Sequence, residues 1–513
     1  MGNIHPRVRM NKRFIGIRHR VKKTTAGEAR PTQLWLGDTG TFVELDDDNA
    51  ELDWVRGTFP VSWRDVTPDE DLTAFSPRHV KWRTVRKGES IEGINPAHLR
   101  MQDGKQQIVV KVPDAYDGLK PGDIYAMSLG GSGDRLAFAL SKVGEKKGAT
   151  VMRLPPSILK QRRQVFGEET KDNDAKLLGL LVAVEPIIFH EVTANTRKII
   201  QVRERQALRM DAMKARIACE QRLRQTLNGA VFCRESDFAD LDIEAQYETL
   251  KANDRILLAL EDEENIRIRE LDRAIKDTEI WQHIFDHVVG VGPALAGRLI
   301  SAIGTIERFM VEPDQARMDA LYEESVRLER TAGLQNLKHF VKDDGNAFQT
   351  LQRVASWCGK NNRPEQAAKL ERAVECHQQR SQLRHRARKA TQAKLKQFCG
   401  VAVTQDGRFP RRRAGSVANW HPDARQALYL LADQFNRQSN RTPWGRMLLE
   451  YKTKLRTAHP EVVEEDGKKR YTDGHIHKMA LWRTVTKFVE WLADQWSDLA
   501  RRQKLQAARK RVA

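Results

Sequence analysis

The stretch best equipped for chemistry is residues 283–309, HIFDHVVGVGPALAGRLISAIGTIERF. Ile284, Phe285, Val288 and Val289 are spaced for one apolar helix face. Gly290-Val291-Gly292-Pro293 then interrupts the pattern. Two glycines two residues apart permit a hairpin with positive φ, and Pro293 stands where a second helix begins. Leu295, Leu299, Ile300 and Ile303 resume helical spacing, with Arg298 as a cation among them. Unpaired N–H groups in such a hairpin, together with the partial positive charge of a helix start, attract an anion such as phosphate. Gly290, Val291, Gly292 and Arg298 are therefore candidate nucleic-acid contacts. An ordinary helix pair joined by a glycine turn is the competing reading, because short motifs carry false positives.

The composition supports a polyanion partner. The chain has 513 residues, 40% of them hydrophobic and 31% charged, with a formal net charge of +19. That length implies several domains, and the basic balance favours nucleic acid. His377 to Lys396, HQQRSQLRHRARKATQAKLK, reads as a basic helix suited to phosphate contact or to simple solvation. Arg411, Arg412 and Arg413 form a second basic run in a loop-like segment, residues 397–420. Five scattered cysteines without a CxxC pair argue against a disulfide framework or a structural zinc site. The basic N-terminus lacks an apolar signal core, and no run is long enough for a membrane span. A soluble, cytoplasmic protein is expected.

Elements able to position the hairpin can be read in order. Apolar runs at 14–17, 33–36 and 41–45, separated by Gly, Pro and Asp, predict a three-strand meander. Residues 49–104 give no assignable pattern. Residues 108–110 and 124–127 read as strands, 134–143 as an amphipathic helix and 148–156 as a strand ending at proline. Strand, helix and strand at that length predict a βαβ unit with a parallel pair. A helix follows from Asp172 to Val184, with Asp172 or Asn173 as cap. Residues 195–226 and 241–276 predict two long charged helices forming an antiparallel arm. Beyond the hairpin, 311–396 is helical with a loop at 357–364. Helices are then expected at 421–436, 444–456 and 476–496, a polar loop at 459–474 and a fraying basic tail.

Three stretches in this order resemble one family. DIYAMSLGGSGDRLAFALSKVGEKKGATVMRLPPS followed by ETKDNDAKLLGLL is similar to its α/β domain. The 283–309 segment is similar to its helix-hairpin-helix, and RFPRRRAGSVANWHPDARQALYLLADQF to its basic loop and following helix. The family is the one-ten family of bacterial insertion-sequence transposases, also called the DEDD transposases, and the resemblance covers about half the chain. It implies a multidomain α/β plus α fold. An RNase H-like (RuvC-type) domain would span 1–195, with an insertion around 49–104. A helical, coiled-coil arm would follow at 196–280, the helix-hairpin-helix and a helical insertion at 281–396, and a C-terminal helical domain at 397–513. It also implies DNA transposition in a bacterial, nucleoid-associated setting. DNA would be the partner, a structured guide RNA a second one, and a homo-oligomer the working form.

The resemblance carries over residue by residue. The family holds two Mg²⁺ ions with four acids, whose oxygens can stabilise both the attacking and leaving groups of phosphoryl transfer. Its first acid ends the opening strand, where Phe14-Ile15-Gly16-Ile17 is followed here by Arg18. Its second follows the central strand, where Ser128-Leu129-Gly130 stands. Its last two form a DxxDA pair. Asp174-Ala175 fits the end, Lys171 occupies the earlier place, and Asp172 is the nearest substitute. Asp174 alone is in register as a metal ligand; Asp38, Glu44 or Asp46 would serve only under a shifted alignment. The family's serine nucleophile lies ahead of the basic loop, where this chain has Thr404-Gln405-Asp406-Gly407; Ser416 is the nearest serine. Two readings share this family identity: an active metal-dependent transposase, and a derivative that kept DNA or RNA binding and lost the chemistry. A helical RNA-binding or structural protein with an incidental α/β domain is a third.

Overall fold

The computed structural model describes residues 12–20, 29–167, 171–235, 242–341, 346–403, 409–411, 415, 419–465 and 468–512. The chain divides into two compact units, residues 1–200 and 201–513. The architecture is mixed α/β followed by a mostly helical remainder.

The first unit is built on strands β1 (Phe14–Arg18), β2 (Thr32–Leu36) and β3 (Phe42–Leu45), then helix α1 (Asp48–Arg56). Strands β4 (Phe59–Asp65), β5 (Lys81–Thr84), β6 (Leu99–Gln102) and β7 (Lys105–Asp117) form a separate antiparallel sheet. That sheet accounts for the stretch the sequence left unassigned. Its tryptophans carry cations rather than a continuous apolar face, with Lys81 over Trp63 and Arg100 over Trp82. Next come β8 (Ile124–Ser128), α2 (Asp134–Lys147), β9 (Thr150–Leu154), α3 (Pro156–Val165), α4 (Asp174–Val184) and the short β10 (His190–Glu191).

The six-stranded sheet has the order β10-β9-β8-β1-β2-β3. The meander β1-β2-β3 is antiparallel and β8 and β9 form a parallel pair, as expected from the sequence; β1 also pairs in parallel with β8, which joins the two. Alternating residues face opposite sides. Ile15, Ile17, Tyr125 and Met127 join a core that includes Leu136 and Leu140 of α2. Ala126 and Leu154 join a second core with Leu177, Leu178 and Leu181 of α4.

Helix α5 (Ala194–Phe232) begins in the first unit and continues in the second. The second charged stretch, expected to be one helix, is two: α6 (Ile243–Asn253) and α7 (Arg255–Lys276). Asp254 has extended backbone and accepts from Leu257 N–H at 2.7 Å, so one residue ends α6 and caps α7. Ion pairs Arg205–Glu270, Arg216–Glu264, Lys251–Glu220 and Arg224–Glu244 run in opposite chain directions, which makes the arm antiparallel.

Past the hairpin lie α8 (Pro293–Ile303), α9 (Gln315–Thr331), α10 (Leu334–Leu337), α11 (Ala347–Lys360) and α12 (Pro364–Phe398). The loop expected at 357–364 is shorter, because buried Val354, Ala355 and Cys358 carry α11 to Lys360. Then come α13 (Pro422–Arg437), α14 (Pro443–Ala458), a hairpin of β11 (Val463–Glu465) and β12 (Lys468–Arg470), and α15 (Asp473–Val512). The β11–β12 hairpin replaces the expected polar loop; Glu464 stands opposite Lys469, a charge pairing that an apolar-period reading does not register. The tail is helical rather than frayed. Buried Trp496, Leu499 and Ala500 extend the packed face, and Gln503 donates to Glu279 at 2.7 Å. Among the described residues no helix is long and apolar enough to cross a membrane.

Candidate nucleic-acid interface

The glycine turn lies where the sequence places it, but its two flanks differ from expectation. Residues Trp281–Phe285 form a π-helical turn, and Asp286 N–H reaches back to Trp281 C=O at 2.9 Å. The wider turn ends the helix at Phe285 and breaks the 3.6 period. Ile284, Phe285 and Val288 are buried as expected, whereas Val289 is 56% exposed. Gly290 has φ +93°, the left-handed conformation foreseen for it. Gly292 does not share it: with φ −81° and ψ 167° it is the extended N-cap residue of α8.

The turn leaves donors free. Val291 N–H bonds Val288 C=O at 3.0 Å, and Gly292 C=O accepts from Leu295 and Ala296 at 3.1 and 3.0 Å. Gly290, Gly292 and Ala294 N–H meet no acceptor among the described residues. Pro293 carries no N–H, and no side chain caps α8. Gly292 and Ala294 are exposed, so these groups face solvent at the positive end of a helix dipole.

Helix α7 supplies cations beside them. A Cβ at Gly297 would stand 2.6 Å from Ile275 Cδ1, so glycine lets α8 lie close to α7 without moving the Ile275 side chain. The approach creates a cleft of about 530 Å³ lined by Gly292, Pro293 and Ala294 on one side and by Ile268, Arg269, Asp272 and Arg273 on the other. Asp272 is offset by Lys276 at 2.8 Å. Arg269 and Arg273 are exposed and form no ion pair among the described residues. Sequence reading missed both arginines, because they belong to a helix that reads as generically charged until α8 is folded onto it.

The other expected contacts are distributed differently. Arg298 is part-buried and directs Nη2 to Met210 Sδ of α5 at 3.5 Å. Arg411 is exposed, while Arg412, Arg413 and Ser416 lie outside the described residues. The basic helix α12 is partly neutralised: His377 pairs with Glu329, Arg388 with Asp494 and Lys396 with Glu490. Arg384, Arg386 and Lys394 remain exposed on it.

In the first unit, Asp174 opens α4 and is 7% exposed. Arg163 Nε of α3 lies 2.7 Å from its Oδ1, and Lys171 and Arg18 also act on it. Burial raises the Asp174 carboxyl above the usual range, against the pull of those three cations. Asp172 is bridged to Arg30. Asp38, Glu44 and Asp46 are exposed at the β2–β3 edge of the sheet. Buried Arg153 of β9 holds the glycine-rich turn after β8, donating to Ser128 C=O at 2.9 Å and to Asp134 Oδ1 at 2.5 Å. A pair of Mg²⁺ ions needs several convergent carboxylate oxygens. Here one carboxylate is already held by a guanidinium and faces two further cations, so these residues do not fit a two-metal site. Searched against protein-family models and curated proteins, the chain matches none.

Proposed function

We propose that the chain is a nucleic-acid-binding protein organised like a one-ten-family transposase, with DNA backbone contact in its helical unit and without two-metal chemistry in its α/β unit. The observation that carries this reading is the cleft in which exposed Gly292 and Ala294 N–H groups stand beside Arg269 and Arg273. Backbone donors at a helix start and flanking arginines form a phosphate-binding set. Such contacts position a duplex without reading its sequence. The π-turn, Gly290 and α8 together support the helix-hairpin-helix interpretation.

The α/β unit supports an RNase H-like interpretation through its strand order and its parallel β1-β8-β9 core flanked by an antiparallel meander. The Arg163–Asp174 pair and Arg18 favour the non-catalytic branch. One experiment tests both parts: duplex binding and strand transfer by the full chain, with and without Mg²⁺, and with a structured RNA as competitor. Salt-sensitive binding without strand transfer is the expected result. Mg²⁺-dependent cleavage that disappears in Asp174→Ala would overturn the non-catalytic assignment, and absence of any binding would overturn the whole proposal.

A further inference from the structure

The surroundings of Asp174 carry the charge of an anion site. Gly16 and Arg18 share one face of β1. Gly16 packs against the backbone of Ala175 and Gly179, which sets Arg18 beside the start of α4. Arg18 also stands at the carboxyl end of β1, one residue past the Ile17–Met127 pair with the parallel strand β8. Arg18, Arg163 and Lys171 face the one carboxylate of Asp174. Arg163 and Asp174 offset each other, so two positive charges remain. Neighbouring acids do not remove them: Asp172 is engaged by Arg30, and Glu185 by Arg162.

A second observation is independent of charge. Arg18 Nε is buried and has no hydrogen-bond partner among the described residues. A buried donor without an acceptor is costly; Arg162 Nε of α3 shares this state, as do other buried arginine nitrogens among the described residues. A tetrahedral oxyanion would supply the missing acceptor and meet the planar guanidinium of Arg163 as well. The carboxyl ends of parallel strands are also where open α/β sheets receive ligands.

We propose that Arg18, Arg163 and Lys171 form a metal-free seat for one phosphodiester of a bound nucleic acid. The seat rests on the nucleic-acid reading of the chain but not on the hairpin, which lies in the other unit. Asp174 then has an inverted role: it holds Arg163 in place when the seat is empty and competes with the phosphate when it fills.

The test uses the full chain and two probes, inorganic phosphate and a short duplex, measured by titration calorimetry. A Gly292→Val background disables the hairpin so that the seat is read alone. Arg18→Gln should weaken inorganic phosphate binding about tenfold. Arg18→Lys should restore part of it. Asp174→Asn, which keeps the shape and removes the charge, should strengthen binding by about three- to tenfold. Phosphate binding unchanged by Arg18→Gln or weakened by Asp174→Asn would overturn the seat. Mn²⁺ binding to the wild type that is lost in Asp174→Asn would also overturn it in favour of a cation site. Phosphate binding without any effect of Arg18→Gln on duplex affinity would assign the seat to free phosphate and overturn the nucleic-acid part. Loss of duplex affinity in Gly292→Val alone would test the hairpin and leave the seat's own readout intact.

Discussion

A Cβ built on Gly16 would stand 1.8 Å from the carbonyl oxygen of Ala175, so strand β1 and helix α4 touch backbone to backbone. The atom in the way belongs to the main chain and cannot rotate aside. Gly16→Ala should therefore force β1 and α4 apart and destabilise the first unit by about 3 kcal/mol or more. Hydrogen exchange of the 14–18 and 174–184 segments would read this directly. Unchanged protection would show that the contact is looser than described.

The two turn glycines should behave differently. Gly290 has φ +93°, a conformation a Cβ strains even though the nearest side chain, Gln434, leaves room at 3.5 Å, so Gly290→Ala should cost about 1–2 kcal/mol of stability. Gly292 has ordinary extended backbone and open space around its Cβ, so Gly292→Val should fold normally. Its side chain would keep a phosphate from the exposed N–H groups, and duplex affinity should fall about tenfold. Thermal melts paired with binding isotherms separate the two effects.

Arg269 and Arg273 should act as phosphate contacts without base preference. Each Gln substitution is expected to lower duplex affinity uniformly across sequences and to reduce the salt slope by about 0.9. Isotherms between low and moderate salt on two unrelated duplexes would measure it. A sequence-dependent loss would mean that α7 reads base edges instead.

His421 gives the helical unit a dependence on pH. It occupies the N-cap position of α13, and its Nδ1 accepts from Ala424 N–H at 3.4 Å. Burial lowers its pKa below the usual imidazole value, with Arg308 and Arg203 acting in the same direction. The unfolded chain therefore binds the proton more readily. Stability from this group is fully present above about pH 6.5 and is lost as pH falls through the lower folded value. His421→Asn replaces the ring nitrogen by a capping oxygen and does not titrate there. Its melting temperature should change less than that of the wild type between pH 7.5 and about pH 5.5.

The cysteines should separate by reactivity. Burial pushes the Cys399 thiol up to about 12, and Cys358 and Cys376 are also buried, whereas Cys233 is exposed. Thiolate is the reactive form. Native protein should label first at Cys233 with a thiol reagent, and Cys399 should react only after denaturation. Mapping the labelled peptides by mass spectrometry checks the order.

Much of the α/β layer was legible because its strands alternate and its turns carry Gly, Pro and Asp. Ile15 and Ile17 facing one core while Gly16 faces α4 is a period-two pattern that a sequence displays. Of the 59–117 sheet only the 108–110 run within β7 was legible; the rest was not, since Trp63 and Trp82 are covered by Lys81 and Arg100 rather than by apolar neighbours. The glycine turn was visible as a motif, but its π-turn depends on a bond from Asp286 to Trp281 that no local periodicity encodes. Arg18 was visible as a substitution in strand register. That Arg163 reaches Asp174 depends on how α3 lies against α4, which only the fold supplies.

The joint at Asp254 sets how the arm responds to force. α5 is one helix of 39 residues, about 58 Å of continuous hydrogen-bonded rod. Its return path is jointed once, at a residue whose backbone is extended and whose carboxylate secures the next helix start. Ion pairs such as Arg224–Glu244, with both partners solvent-accessible, give little resistance to shear and less as ionic strength rises. A pull along α6 would therefore be absorbed as a change of angle at this elbow, with α7 and the turn beside it left undisturbed. Among the described residues of the arm the bend falls at Asp254, and a single carboxylate secures the helix start that follows it.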